Sequence, residues 1–207
     1  MNRFGLSLIV PVVGLLATVS FVGAVIWGGL AYPGYDHLRQ FISELGATGA
    51  VTAPVMNAAF MGSSALICLF WIGAAIVLPR TVATLVGCGL SVLNGVSLFL
   101  AGAYACDDGC TRVDQTSAAV LHDIFGGLGY LAAILGTAVL ALASTRWPGA
   151  RGMRILGLTC ALAGLIGLGG IVAEVDVKGL YQRLAEAGLW LFILATALAI
   201  YRQRPVR

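Results

Sequence analysis

The sequence predicts an all-α fold, a polytopic transmembrane bundle of six helices with both termini inside and a short interfacial helix in its first outer loop. Three observations predict it. The first is composition: of 207 residues, 59% are hydrophobic and only 10% charged, against about 25% charged in soluble domains. The mean hydropathy of +0.96 leaves too few polar groups to cover a water-facing sphere. The second is six apolar segments, each near the roughly 20 residues that cross about 30 Å of hydrocarbon. The third is a one-sided distribution of charge.

The segments run over residues 8–31, 54–78, 82–103, 117–143, 154–175 and 181–201. The first follows Arg3 and stays apolar to about Tyr32, longer than the roughly 7–15 residues of a signal-peptide core. It is read as a retained helix. The third carries Gly87, Ser91 and Gly95 four residues apart, a small-residue stripe of the kind that brings membrane helices close. On the fourth, His122, Gly126 and Gly129 share one face, as do Gly167, Gly170 and Glu174 on the fifth. Those stripes are expected to turn inward and carry His122 and Glu174 with them. In lipid every backbone group must be satisfied internally. Alternating strands of about ten residues, the mark of a membrane barrel, are absent. Only short loops remain between the spans, so residues 1–207 are expected to form one membrane domain.

Charge sets the orientation. With the N-terminus inside, the inner segments hold eight basic residues, Arg3, Arg80, Arg146, Arg151, Arg154, Arg202, Arg204 and Arg207. The outer ones hold four, Arg39, Arg112, Lys178 and Arg183. Basic loops resist export, so this arrangement is the expected one. All nine acidic residues fall in outer loops or near outer helix ends. The net charge of +3 is therefore a topology signal and no sign of nucleic-acid binding.

The first outer loop runs Tyr35-Asp36-His37-Leu38-Arg39-Gln40-Phe41-Ile42-Ser43-Glu44-Leu45-Gly46. Leu38, Phe41, Ile42 and Leu45 repeat with the period of an amphipathic helix. Asp36 is placed to cap its start and Gly46 to end it. Such a helix lies at the interface, with His37, Gln40 and Glu44 facing the aqueous mouth. The alternative is a structural lid with a solvated face. Further on, Cys106-Asp107-Asp108-Gly109-Cys110 sits on the side where thiols meet an oxidising environment, so a disulfide between Cys106 and Cys110 is expected. Cys68, Cys88 and Cys160 lie within spans and read as small apolar residues.

His122 and Asp123 stand about one turn inside the fourth helix, where ionisable groups usually face a cavity or a partner. Adjacent helix positions diverge by about 100°, so the two are expected to serve different neighbours. Arg183 and Glu186, three apart, are spaced for a helix-surface ion pair. Asn57 and Asn94 read as interhelical hydrogen-bonding groups. Together His37, Glu44, His122, Asp123, Glu174, Arg183 and Glu186 suggest a polar pocket near the outer leaflet. A histidine beside carboxylates suits acid–base work or a metal ion. No ligand spacing or nucleophile motif selects either, and no cofactor is assigned.

The segment Ile42-Ser43-Glu44-Leu45-Gly46, the later Cys106-Asp107-Asp108-Gly109-Cys110, and His122-Asp123 opening the fourth helix resemble a prokaryotic six-helix family, domain of unknown function 998. The resemblance covers nearly the whole chain. It implies a multi-pass protein of a prokaryotic plasma membrane, and it points to Ser43, Glu44, Cys106, Cys110, His122 and Asp123. Thr111 stands where proline is expected in many relatives. More distantly, the chain is similar to damage-regulated autophagy modulators and the proteins that remodel GPI-anchor lipids, which implies a lipid-facing role.

Three readings of function follow. The leading one is binding of a lipid head group or similar amphiphile at the outer mouth, with membrane lipids as partners. Glu44, His122 and Glu174 would supply polar contacts, and Arg183 would meet an anionic group. The second is a lipid-modifying enzyme with a histidine–carboxylate or metal site. The third, a small-solute transporter, lacks ionisable groups in the inner halves of the spans.

Overall fold

The computed structural model of the chain describes residues 3–203. Arg204 and Arg207, two of the expected inner basic residues, lie outside the described residues, as does the side chain of Arg3. Six long helices dominate: α1 (Arg3–Ala31), α2 (Ala53–Val77), α3 (Val82–Ala103), α4 (Ser117–Ala143), α5 (Met153–Val172) and α6 (Lys178–Arg202). All six are long and apolar enough to cross a membrane, and no strand occurs among the described residues. The protein is an integral, multi-pass membrane protein.

Local chemistry explains the ends. Thr81 and Thr116 precede α3 and α4, and their hydroxyls accept the backbone N–H of Thr84 and Ala119 at 3.1 and 3.2 Å. That satisfies one of the donors every helix start leaves open. Asp107 fixes the same corner by accepting both the N–H and the hydroxyl of Thr116, at 2.8 and 2.7 Å. Asp36 accepts the N–H groups of Leu38 and Arg39, but the segment it holds is a turn and not the helix start expected there.

Each helix packs on its neighbours in sequence, and α1 against α6 closes the ring. The packing is inside-out relative to a soluble protein. Leu15, Leu16, Val19, Leu131, Leu135 and Ile166 face outward, toward lipid, while small residues sit between helices. The stripe on α3 works in both directions. Gly87 and Ser91 meet Gly136 and Leu140 of α4, and Gly95 meets Ser64 and Cys68 of α2. Gly167 and Gly170 press on Tyr181 and Ala185 of α6.

The loops over 32–52, 104–116 and 173–177 gather at one end of the bundle, joined by Thr48 N–H to the Cys106 carbonyl at 2.9 Å. At the opposite end Trp147 Nε1 donates to Thr84 Oγ1 at 3.5 Å.

Two expectations need correction. The first loop forms no continuous amphipathic helix. It makes a turn after Asp36 and then a short 3-10 helix, Ile42–Gly46. Phe41, Ile42 and Leu45 plug into the bundle, Leu45 wholly buried, while Leu38 stays outside. The physical reason is anchorage: Asn57 Nδ2 donates to the Gly46 carbonyl at 2.9 Å, and Leu180 N–H to the Leu38 carbonyl at 2.9 Å. These tertiary bonds replace those a longer helix would make. Second, α5 ends at Val172 rather than Val175, and Glu174 adopts a left-handed backbone (φ 49°). The helical face shared by Gly167 and Gly170 therefore never reaches Glu174, which is exposed.

Candidate functional site

Beneath the loop-rich end two cavities adjoin. An outer vestibule of about 170 Å³ lies among the ends of α4, α5 and α6 and the loops, and includes Phe41, Cys110, Arg112, Asp123 and Val172. An inner chamber of about 70 Å³ lies deeper in the ring, lined by Phe60, Ile67, Leu98, Glu186, Trp190 and Ile193 among others. Ser43, His122, Gly126, Tyr130 and Gln182 line both. The shared wall is thus largely polar, and apolar surface dominates beyond it.

Local structure puts each of these groups there. On α4, His122, Gly126 and Tyr130 follow at four-residue intervals and so share one face. A Cβ on Gly126 would meet nothing within 4 Å, so the glycine leaves open space where it lines the vestibule and the chamber. On α6, Gln182, Glu186 and Trp190 repeat the same spacing. Ser43 arrives from the 3-10 helix, its Oγ 3.4 Å from the sulfur of Cys110. Cys106 and Cys110 are bonded to each other as expected.

His122 Nδ1 lies 2.8 Å from the Ala101 carbonyl and 3.0 Å from that of Tyr104. Both partners only accept, so Nδ1 must carry the proton. In the neutral ring Nε2 then holds a lone pair, with no hydrogen-bond partner among the described residues. Glu186 accepts from Tyr130 hydroxyl at 2.6 Å and from Trp190 Nε1 at 2.8 Å. Gln182 Oε1 accepts the N–H of Ile42 at 2.5 Å, tying the plug to the chamber wall. Asn94 Nδ2 bridges to the Gly129 carbonyl at 3.1 Å, an interhelical bond of the expected kind, and lines the chamber as well.

The residues singled out in the sequence separate into three places. Ser43, His122, Asp123 and Glu186 line the cavities. His122 and Asp123 serve different neighbours, as their divergence on the helix predicts. Asp123 meets Gln115 Nε2 at 3.0 Å and Arg112 Nε at 3.5 Å. Glu174 sits at the rim, 3.0 Å from the same Arg112 nitrogen. One arginine between two carboxylates is an exposed cluster, worth little in stability.

Glu44, His37 and Arg183 line neither cavity. Glu44 is buried and folds back on its own loop, accepting Phe41 N–H and Gln40 Nε2, both at 2.9 Å. Lys178 Nζ stands 3.9 Å away. Arg183 makes no ion pair with Glu186. Its guanidinium donates to the carbonyls of Gln40 and Gly179 at 3.0 Å each, to Tyr35 hydroxyl at 2.8 Å and to His37 Nδ1 at 3.0 Å. A planar fork of donors suits such a set of acceptors. Burial pushes the Tyr35 phenol above its ordinary value, opposed by the Arg183 hydrogen bond and charge. The phenol stays neutral and donates to the Phe41 carbonyl at 2.7 Å. Gly179 is required at this joint, because any side chain there would strike the Gln40 and His37 carbonyls.

Tyr130, Gln182 and Trp190 did not stand out in the sequence. The available signal was spacing: Tyr130 lies eight residues after His122, two four-residue steps, and Gln182 and Trp190 each lie four from Glu186. Among the described residues, no three His, Cys, Asp or Glu side chains converge as metal ligands.

No curated protein and no solved structure shows a significant match to the chain. A family model does match, over residues 15–199, from the middle of α1 to near the end of α6. The chain therefore belongs to the family described as protein of unknown function DUF998.

Proposed function

We propose that this protein binds a membrane amphiphile in the adjoining cavities, from the outer face of a prokaryotic plasma membrane. The observation that carries the reading is the order of polarity along the cavities. Polar Ser43, His122 and Gln182 stand between the vestibule and the chamber; the chamber itself is lined mainly by apolar residues such as Ile67, Leu98 and Ile193, with Asn94, Tyr130 and Glu186 as its further polar groups. An outer-leaflet amphiphile has the same order, head toward water and tail toward the midplane. Pockets that combine apolar lining with a few placed polar groups are the usual form of a small-molecule site. In this reading Ser43, His122 and Gln182 stand beside the head group, and the plug of Phe41, Ile42 and Leu45 closes the site from above. Orientation rests on the arginine-rich opposite end, which the positive-inside rule keeps in the cytoplasm.

The test is extraction in native-lipid nanodiscs, transfer to a neutral detergent, and mass spectrometry of what stays bound. Wild type retains one enriched amphiphile near unit stoichiometry. Gly126→Leu, which adds bulk on the cavity wall where a Cβ meets nothing within 4 Å, retains none. An identical mixture on both proteins overturns the reading.

A further inference from the structure

Resting on that amphiphile site, we infer that its preferred ligand is a lipophilic cation, an amine or quaternary ammonium carrying an alkyl tail. Three observations converge on positive charge. First, Glu186 lines the chamber with only two neutral donors, Tyr130 and Trp190, and no cationic side chain within ion-pair distance among the described residues. The arginine one turn earlier, Arg183, is turned away and committed to Tyr35, His37 and two carbonyls. Second, the vestibule's own cation, Arg112, is already flanked by Asp123 and Glu174. That cation is balanced by carboxylates on both sides, and no other lysine or arginine among the described residues lines either cavity. At this end of the bundle nine carboxylates stand against four basic side chains, a field that draws cations toward the mouth and repels anions. Third, the chamber wall around Glu186 is aromatic. Phe21, Phe60, Phe125, Tyr130 and Trp190 all contribute, with Phe21 stacked on Trp190 at 4.7 Å between ring centres. Aromatic faces attract ammonium groups, most strongly where water is excluded. A carboxylate among aromatic rings is the chemistry that recognises such a head, and Ile67 and Ile193 offer the tail an apolar floor.

The experiment places the full chain in zwitterionic nanodiscs and titrates three probes of equal tail length: decyltrimethylammonium, decyl sulfate and decanol. Empty nanodiscs set the baseline. The expected result is saturable binding of the ammonium at least tenfold tighter than either other probe. Glu186→Gln lowers ammonium affinity at least tenfold and leaves decanol unchanged, whereas Glu186→Asp, which keeps the charge, recovers part of the loss. If Glu186→Gln elutes as folded protein and binds the ammonium as wild type does, the cation inference is overturned. Equal binding of all three probes, abolished by Gly126→Leu, overturns the charge preference alone and leaves the amphiphile site standing. Absence of saturable binding by any probe overturns both.

Discussion

Arg183 looked in the sequence like a residue waiting for an anion, yet the structure makes it a staple between α6 and the first loop. The two roles separate under Arg183→Met, which keeps the stem and removes the donors. Of its four acceptors, the Gly179 carbonyl belongs to α6 itself and His37 is exposed, so water replaces the arginine there. The Gln40 carbonyl and Tyr35 hydroxyl are part-buried and lose a charged donor. Neither is orphaned, since the Tyr35 hydroxyl keeps its bond to the Phe41 carbonyl and also donates to the Gln40 carbonyl at 3.4 Å, so each loss is taken at the ordinary net value of a hydrogen bond, about 1 kcal/mol. Together they give about 2 kcal/mol, roughly a thirtyfold rise in local opening. The readout is trypsin cleavage after Arg39. That side chain is 73% exposed, but its backbone is held by Leu38 to Leu180 and Gln40 to Arg183. When reclosing is fast, cleavage follows the open population, so the variant is nicked about thirty times faster. Arg183→Lys recovers less than half of the protection, since a point charge cannot serve the fork of acceptors. Cleavage at the wild-type rate in Arg183→Met, with its helix content intact, refutes the staple.

The remaining predictions concern packing, the disulfide and pH. Gly126→Ala is neutral or stabilising by about 0.5–1 kcal/mol, because a mid-helix glycine is replaced where nothing crowds it. Gly170→Ala is destabilising by about 1–3 kcal/mol, since its Cβ would strike the stem of the Tyr181 ring rather than a mobile tip; thermal unfolding in one detergent compares the pair, and equal shifts would contradict the packing. Loss of the Cys106–Cys110 bond through Cys110→Ser costs about 2 kcal/mol for so short a loop, read as earlier unfolding that reductant reproduces in wild type and leaves unchanged in the variant. For Tyr35 the folded phenol titrates above its ordinary value of about 10. The unfolded chain therefore ionises first as pH rises. The stability that Tyr35 contributes is full below about pH 10 and falls as the pH climbs through the folded value. Melting curves across that range should fall more steeply for wild type than for Tyr35→Phe.

What was legible in the sequence came from constraints that act on one segment at a time. A span must be long enough and apolar enough to cross hydrocarbon, and its backbone must satisfy itself, so six helices could be placed without knowing how they meet. The α3 and α4 boundaries, the bonded Cys106–Cys110 turn and the separation of His122 from Asp123 are similarly local. Only the tertiary structure decided which polar groups share a space. Glu44 lies in the motif that marks the family resemblance, yet it caps its own loop; Arg183 and Glu186 lie three apart on α6 and turn to different neighbours. Tyr130, Gln182 and Trp190 joined the site because glycine contacts set how far α4 and α6 rotate and how closely they approach. Periodicity reveals which residues share a face. The packing of small residues between helices fixes what that face meets, and no single segment contains that information.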